Sequence, residues 1–226
     1  NGQYGTAKWA SKKEMKEINK KTIYELEFFV GKIQEKMCIL VKCGVGKVNA
    51  ARVTQILISS FSVNFVINIG AAGALNDNLK IGDIVIGKYL VQHDFDITAF
   101  GHNKGYISNV GDKIYSDSNL LEYVQKIINN KKDKSFEIKF GIIAAGDIFC
   151  TDVSMKQKIV KKFEADCVEM EGAAIAQVCY LDNIPFIVIR SISDTPNGNN
   201  AITFDEFVSL ASRRCSDLLK ELLKEL

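Results

Sequence analysis

Histidine is scarce in this chain, with only His93 and His102. The six cysteines (Cys38, Cys43, Cys150, Cys167, Cys179 and Cys215) are scattered and never form Cys-x-x-Cys. Neither set has the ligand spacing of a zinc site, so no metal is expected. Four of the cysteines lie in apolar segments, where a thiol acts as a small hydrophobe, and a reduced compartment fits them. Long apolar runs are also missing. The longest, such as Phe65–Ile69 and Asp83–Val91, are strand-sized and fall short of the ~20 residues of a helical membrane span. Nor does one sign of charge dominate, with 29 basic against 27 acidic residues and a net charge of +2. The densest basic stretch, Lys126–Lys139, is interrupted by Asp133 and Glu137. It reads as a solvated helix end and loop rather than a nucleic-acid surface. With membrane and nucleic acid set aside, a small molecule is the expected partner.

Linkers are lacking too. There is no Pro/Gly-rich stretch, composition shift or internal repeat, so residues 1–226 read as one domain, long enough to bury a sizeable core. The chain opens with Asn1 rather than methionine. A cytoplasmic location is expected, with export after removal of an N-terminal signal as the alternative.

What is present is an alternation of strand and helix patterns. Strands are predicted at Ile23–Val30, Met37–Lys42, Phe65–Ile69, Asp83–Val91, Phe136–Ile143 and Phe186–Ile189. Several are continuous Val/Ile/Phe runs, as in strands buried on both faces. Helices are predicted at Ser11–Asn19, Lys47–Phe61, Ser118–Asn129, Ser154–Phe163, Gly172–Leu181 and Phe204–Leu226. The last opens with a Thr203-x-x-Glu206 capping box and repeats apolar residues at three- and four-residue steps. The alternation argues for an α/β fold with a mixed sheet covered by helices.

Four segments carry candidate chemistry. Gly44-Val45-Gly46-Lys47 joins a strand to a helix, where glycine admits close backbone approach and a helix N-terminus favours polar oxygens. A plain tight turn explains it equally well. Ile69-Gly70-Ala71-Ala72-Gly73-Ala74-Leu75 follows the strongest strand, at the carboxyl end where open α/β sheets bind ligands. In Val168-Glu169-Met170-Glu171-Gly172-Ala173-Ala174, two carboxylates stand before a helix. They complement its dipole or accept the paired hydroxyls of a ribose. Asp194, closing Ile189-Arg190-Ser191-Ile192-Ser193-Asp194, is either the partner of Arg190 or a general acid aimed into a cleft.

Together with His93–Gly101 and Gly146-Asp147-Ile148-Phe149, these segments resemble the 5'-methylthioadenosine/S-adenosylhomocysteine nucleosidases in order and spacing over roughly residues 11–226. Val-Glu-Met-Glu-Gly-Ala-Ala followed by Arg-Ser-Ile-Ser-Asp is the most specific part. The resemblance implies a three-layer α/β/α nucleoside phosphorylase-like fold around a mixed, partly barrel-like central sheet. It implies hydrolysis of an N-glycosidic bond through an oxocarbenium-like ribosyl transition state, releasing adenine without a cofactor. Asp194 then matches the proton donor to purine N7, with Ser193 beside it. Phe149 matches the residue stacked on adenine, worth roughly 1–3 kcal/mol, and the Cys150 backbone the reader of the base edge. Glu171 and Met170 match the ribose-binding pair, while Glu169 and Arg190 lie in the same motifs. Val45, Phe204 and Phe100 match the apolar wall around the 5'-alkylthio group, Phe100 reaching over from the second subunit of a homodimer. Gly73 and Ala71 belong to the glycine-rich loop, where Ala71 stands in place of a serine common among relatives. Glu14, in Ala10-Ser11-Lys12-Lys13-Glu14, matches the water-activating carboxylate, although residues 1–9 lack the apolar run of the family's first strand and Ser11-x-x-Glu14 is also a capping box.

Two rival functions remain open at this point. A nucleoside phosphorylase needs cations for phosphate, yet Val66-Ile67-Asn68-Ile69 before Gly70 holds none, and Arg190 alone is a thin provision. A binding protein with decayed chemistry would have little reason to keep Asp194, Glu171, Met170 and Phe149 together.

Overall fold

The computed structural model describes residues 12–195 and 204–226, with the side chains of residues 204–209 and 212 outside that description. Its first element corrects the sequence reading. Lys12 and Lys13 end a helical turn, and the segment expected to continue as helix is strand β1 (Lys16–Ile23). It pairs antiparallel with β2 (Leu26–Ile33), which pairs with β3 (Lys36–Val41). The expected strand Ile23–Val30 is thus broken by a two-residue hairpin at Tyr24-Glu25, and a second hairpin follows at Gln34-Glu35. All four residues have positive φ, from 48° to 66°. Such turns normally advertise themselves by Asn-Gly or Asp-Gly. Here neither dipeptide is present, and tertiary pairing overrides the local helical pattern.

The turn at Gly44–Gly46, with φ of 88° and 92° at its two glycines, leads into α1 (Lys47–Phe61). The elements that follow are β4 (Val66–Ala74), β5 (Ile84–Gln92), a 3₁₀ turn (Thr98–Phe100), β6 (Ile114–Tyr115) and α2 (Ser118–Asn130). Then come β7 (Ile138–Ala145), α3 (Val153–Phe163), β8 (Cys167–Glu169), α4 (Gly172–Leu181), β9 (Phe186–Asp194) and α5 (Phe204–Glu225). Two of these strands extend further than expected. The glycine-rich segment is the second half of β4 rather than a loop after it, and Arg190–Asp194 is the second half of β9.

Five strands close on themselves in the order β5, β7, β8, β4, β9 and back to β5, with β6 added on β5. The ring is mixed: β5–β7, β7–β8 and β4–β9 are parallel, while β4–β8 and β5–β9 are antiparallel. Helices cover both sides. Ala50 of α1 and Ala173, Ala176 and Cys179 of α4 join one apolar cluster with the strands. Leu120 and Val124 of α2 and Cys215, Leu218 and Leu222 of α5 join another. The result is the three-layer α/β/α arrangement with a barrel-like mixed sheet. No helix among the described residues is long and apolar enough to cross a membrane. The expected capping box lies outside this description, Thr203 altogether and Glu206 by its side chain.

Candidate active site

The carboxyl halves of the parallel strands β4 and β9 lie side by side, the short antiparallel strand β8 runs along the end of β4, and the candidate residues lie on or just after these segments. Arg190 is fully buried and pairs with the carboxylate of Glu169. It also donates to Asn68 Oδ1 at 2.6 Å and lies 3.9 Å from Glu171 Oε2. Gly70 is required beside it: a Cβ there would run into the guanidinium.

The two glutamates of Val-Glu-Met-Glu take different roles. Glu169 accepts from the backbone N–H groups of Glu171 (3.0 Å) and Gly172 (2.8 Å), so it caps the start of α4. Glu171 makes no such cap bond. Its Oε1 accepts from the Gly46 N–H at 3.0 Å, and its Oε2 is buried with no hydrogen-bond donor. Burial pushes the Glu171 carboxyl up to about 7, Arg190 opposing the shift and Glu169 adding to it. The Gly44–Lys47 turn is therefore part of the site.

Asp194 closes β9 at a bulge, where Gly73 of β4 rather than its neighbour pairs with it. A Cβ on Gly73 would sit 3.1–3.2 Å from both carboxyl oxygens, so glycine makes room for that side chain. Ser193 Oγ is 2.8 Å from Asp194 Oδ1 and 3.2 Å from the Ala72 carbonyl. Lys156 of α3 donates to Asp194 Oδ2 at 3.1 Å. Phe149 is largely exposed, and Cys150 is half-buried with its thiol pushed up by burial. Cys43, next to the Gly44 turn, is likewise held up at about 11 by burial. Neither is a thiolate nucleophile near neutrality.

A clamp holds this end together. Lys47 Nζ pairs with Asp94 (2.8 Å), Lys47 N–H donates to Asp147 (2.8 Å), and Asp147 N–H donates to Asp94 (2.8 Å). These bonds tie the Gly44–Lys47, His93–Gly101 and Gly146–Phe149 segments to one another.

Ala71 packs on Ala211 of α5, as does Ile81. Phe100, on the 3₁₀ turn, is 81% exposed, and Val45 is exposed as well. Phe204 opens α5, but its side chain lies outside the described residues. Glu14 is half-exposed and pairs with Lys220 of α5 at 3.5 Å. Lys220 lies nine residues beyond Ala211, about 13 Å along the helix, and the described contact of Glu14 is with this lysine rather than with Glu171 or Asp194. Sequence reasoning missed Asn68 and Lys156. The signal for Lys156 was a lysine on the buried stripe of an amphipathic helix, three residues before buried Ile159. Among the described residues no cluster of His, Cys, Asp or Glu could hold a metal ion.

A closed mixed barrel covered by helices on both sides, with a buried carboxylate and an acid at one strand end, defines a protein of the phosphorylase superfamily, whose family model matches residues 5–224. The 5'-methylthioadenosine/S-adenosylhomocysteine nucleosidase of Staphylococcus haemolyticus (strain JCSC1435) is 39% identical over 216 residues, covering 95% of this chain and 93% of that one. The Campylobacter jejuni nucleosidase of the same name superposes with a TM-score of 0.92 at 29% identity, covering 98% of this chain and 96% of that one. The Neisseria meningitidis enzyme in complex with methylthio-immucillin-A gives 0.91 at 33%, covering 100% and 97%. The chain belongs to the 5'-methylthioadenosine/S-adenosylhomocysteine nucleosidase family.

Proposed function

We propose that this protein hydrolyses the N-glycosidic bond of 5'-methylthioadenosine and S-adenosylhomocysteine, releasing adenine and the thioribose product. The observation that carries the reading is Glu171 Oε2, a buried carboxylate oxygen without a donor. A buried acceptor of this kind is costly unless a partner arrives, and the paired hydroxyls of a ribose supply two donors to one carboxylate. Met170 follows as the packing surface for the sugar. Asp194 protonates the purine at N7, with Ser193 supporting it, so that the base leaves neutral rather than as an anion. Phe149 stacks on the ring and the Cys150 backbone reads its edge.

Arg190 supports hydrolysis over phosphorolysis. Its guanidinium is engaged by Glu169 and Asn68, and Glu171 beside it would repel a phosphate dianion. The exposed Phe100 and Val45 support a homodimer in which Phe100 completes the 5'-alkylthio wall of the neighbouring site, and such an enzyme would serve methionine salvage. No metal or cofactor is invoked.

The test is incubation with methylthioadenosine, with and without phosphate, following adenine and the sugar by chromatography. Adenine with free methylthioribose, independent of phosphate, is the expected result. Pentose-1-phosphate would replace the reading with phosphorolysis, and no adenine at all would end it.

A further inference from the structure

Lys156 is an anomaly that the reaction as described leaves unused. Its side chain is 7% exposed, in the first turn of α3, a helix whose start is fixed by Asp152 accepting from the Met155 N–H at 2.8 Å. A cation there opposes the helix dipole, and burial opposes its charge. Among the described residues its acceptor is Asp194 Oδ2, at 3.1 Å. Among the described residues the cost of the placement is offset through that carboxyl.

We propose that Lys156 is a positioning residue that sets the orientation of Asp194, and so selects the oxygen that carries the transferred proton. The inference rests on Asp194 as the proton donor in the function proposed above. With an ammonium donating to Oδ2, the proton belongs on Oδ1. Ser193 accommodates both states, because its hydroxyl reaches Asp194 Oδ1 at 2.8 Å and the Ala72 carbonyl at 3.2 Å. When Oδ1 is protonated, the serine hydrogen turns to Ala72. When the Oδ1–H bond breaks and an N7–H bond forms on the purine, the serine hydrogen swings back, and Ser193 and Lys156 together hold the resulting carboxylate.

Among the described residues the surroundings leave this assignment to Lys156. From β4 the neighbour is uncharged Gly73. The loop before α3 brings Cys150, whose thiol feels Lys156, Asp152 and Asp194 and is kept neutral by burial. Asp152 is fully exposed, committed to the cap of α3 and held below the usual carboxylate range by its bonds to Ser154 and Met155.

The experiment compares wild type, Lys156→Met, Lys156→Arg, Asp194→Asn and the Lys156→Met/Asp194→Asn double variant for adenine release from methylthioadenosine between pH 5 and 10. In Lys156→Met we expect the plateau of kcat to fall about tenfold, with KM little changed, while the alkaline limb moves up by about one pH unit, so that the two profiles cross. Lys156→Arg restores most of the plateau, and Lys156→Met adds no further loss in the Asp194→Asn background. A lowered profile with an unmoved limb, or equal losses in both backgrounds, would overturn the proposal. Should wild type release no adenine, the function proposed above fails first. Proton uptake on adenine binding, measured by calorimetry in two buffers of different ionisation enthalpy, then reads the pair without turnover. The same upward move of its pH dependence in Lys156→Met is expected, and identical curves or an absence of adenine binding overturn it.

Discussion

The barrel and the β1–β3 meander are both built from short strands, but they solve the edge problem differently. Around the barrel every strand finds two neighbours, and Ile84, Ile143, Ile187 and Ile189 are fully buried. The meander is a three-stranded sheet whose outer strand β1 is exposed along nearly its whole length. Among the described residues the far edge of β3 and the first half of β4 have no strand between them, and a cavity of about 570 Å³ lies there, lined also by Leu219 and Leu223 of α5. Closure brings β8 and the carboxyl halves of β4 and β9 together, and the candidate residues sit at that junction. The meander contributes packing, through Phe29 and Ile33 against α5. Charge follows the same division: the barrel end buries Glu169, Glu171 and Arg190, whereas the ion pairs of the meander, such as Lys32–Glu17 at 3.0 Å, are solvated and individually worth little.

The largest effect should come from the junction itself. Asp194→Asn removes the transferable proton while keeping the shape, so adenine release should fall about 10²- to 10⁴-fold. Binding of adenine, followed by calorimetry, should largely survive. Activity within threefold of wild type would detach the chemistry from the end of β9.

Glu171→Gln comes next. Losing a charged acceptor for the ribose hydroxyls should lower kcat/KM about 10- to 100-fold. Two pH effects accompany it. Because burial lifts the Glu171 carboxyl to about 7, kcat/KM of wild type should rise with pH up to about 7 as the carboxylate forms. Stability moves the other way. The folded state keeps a proton that the unfolded chain releases near 4.5, so this contribution is full below about 4.5 and is lost as pH rises through about 7. Urea midpoints measured from pH 4 to 8 should show that decline in wild type, and the variant should flatten it.

How far this division was legible in the sequence follows from the same physics. Phe186–Ile189 is a continuous apolar run and Asp83–Val91 is apolar apart from Asp83 and Lys88, as strands buried on both faces require, and both were readable. The junction showed in the sequence where residue type singles out candidates, as at Glu171 and Asp194. It was unreadable where geometry alone decides. Nothing local shows that Gly70–Ala74 stays extended, because the reasons are Arg190 and Asp194 on a strand more than a hundred residues away. Lys156 was hidden for the same reason, its acceptor lying 38 residues downstream. In the meander, β2 and β3 overlap the expected strands, but β1 does not, because Lys16–Ile23 has neither a buried face nor a glycine turn and its strand character comes from pairing with β2.

Stability measurements can sharpen the contrast. Ile187→Ala, in the fully buried part of β9, should cost about 2–5 kcal/mol, read from the shift in urea midpoint. Ile18→Ala, 43% exposed on β1, should stay within about 0.5 kcal/mol. Comparable losses at both positions would mean that the meander buries its outer strand against something beyond the described residues.

The smallest effect is expected at Glu14, and it bears on the one assignment that the two regions dispute. The family resemblance matches Glu14 to the group that activates water, yet its described contact is Lys220, on the part of α5 that carries the meander. A half-exposed pair of this kind is worth about 0–1 kcal/mol, so Glu14→Gln should barely move the urea midpoint. If the contact with Lys220 is its whole role, adenine release should stay within about twofold of wild type, and the activating group must come from elsewhere. A loss of a hundredfold or more with unchanged stability would instead bring Glu14 to the barrel end during turnover, and the start of the meander would then belong to the active site rather than to the packing beneath it.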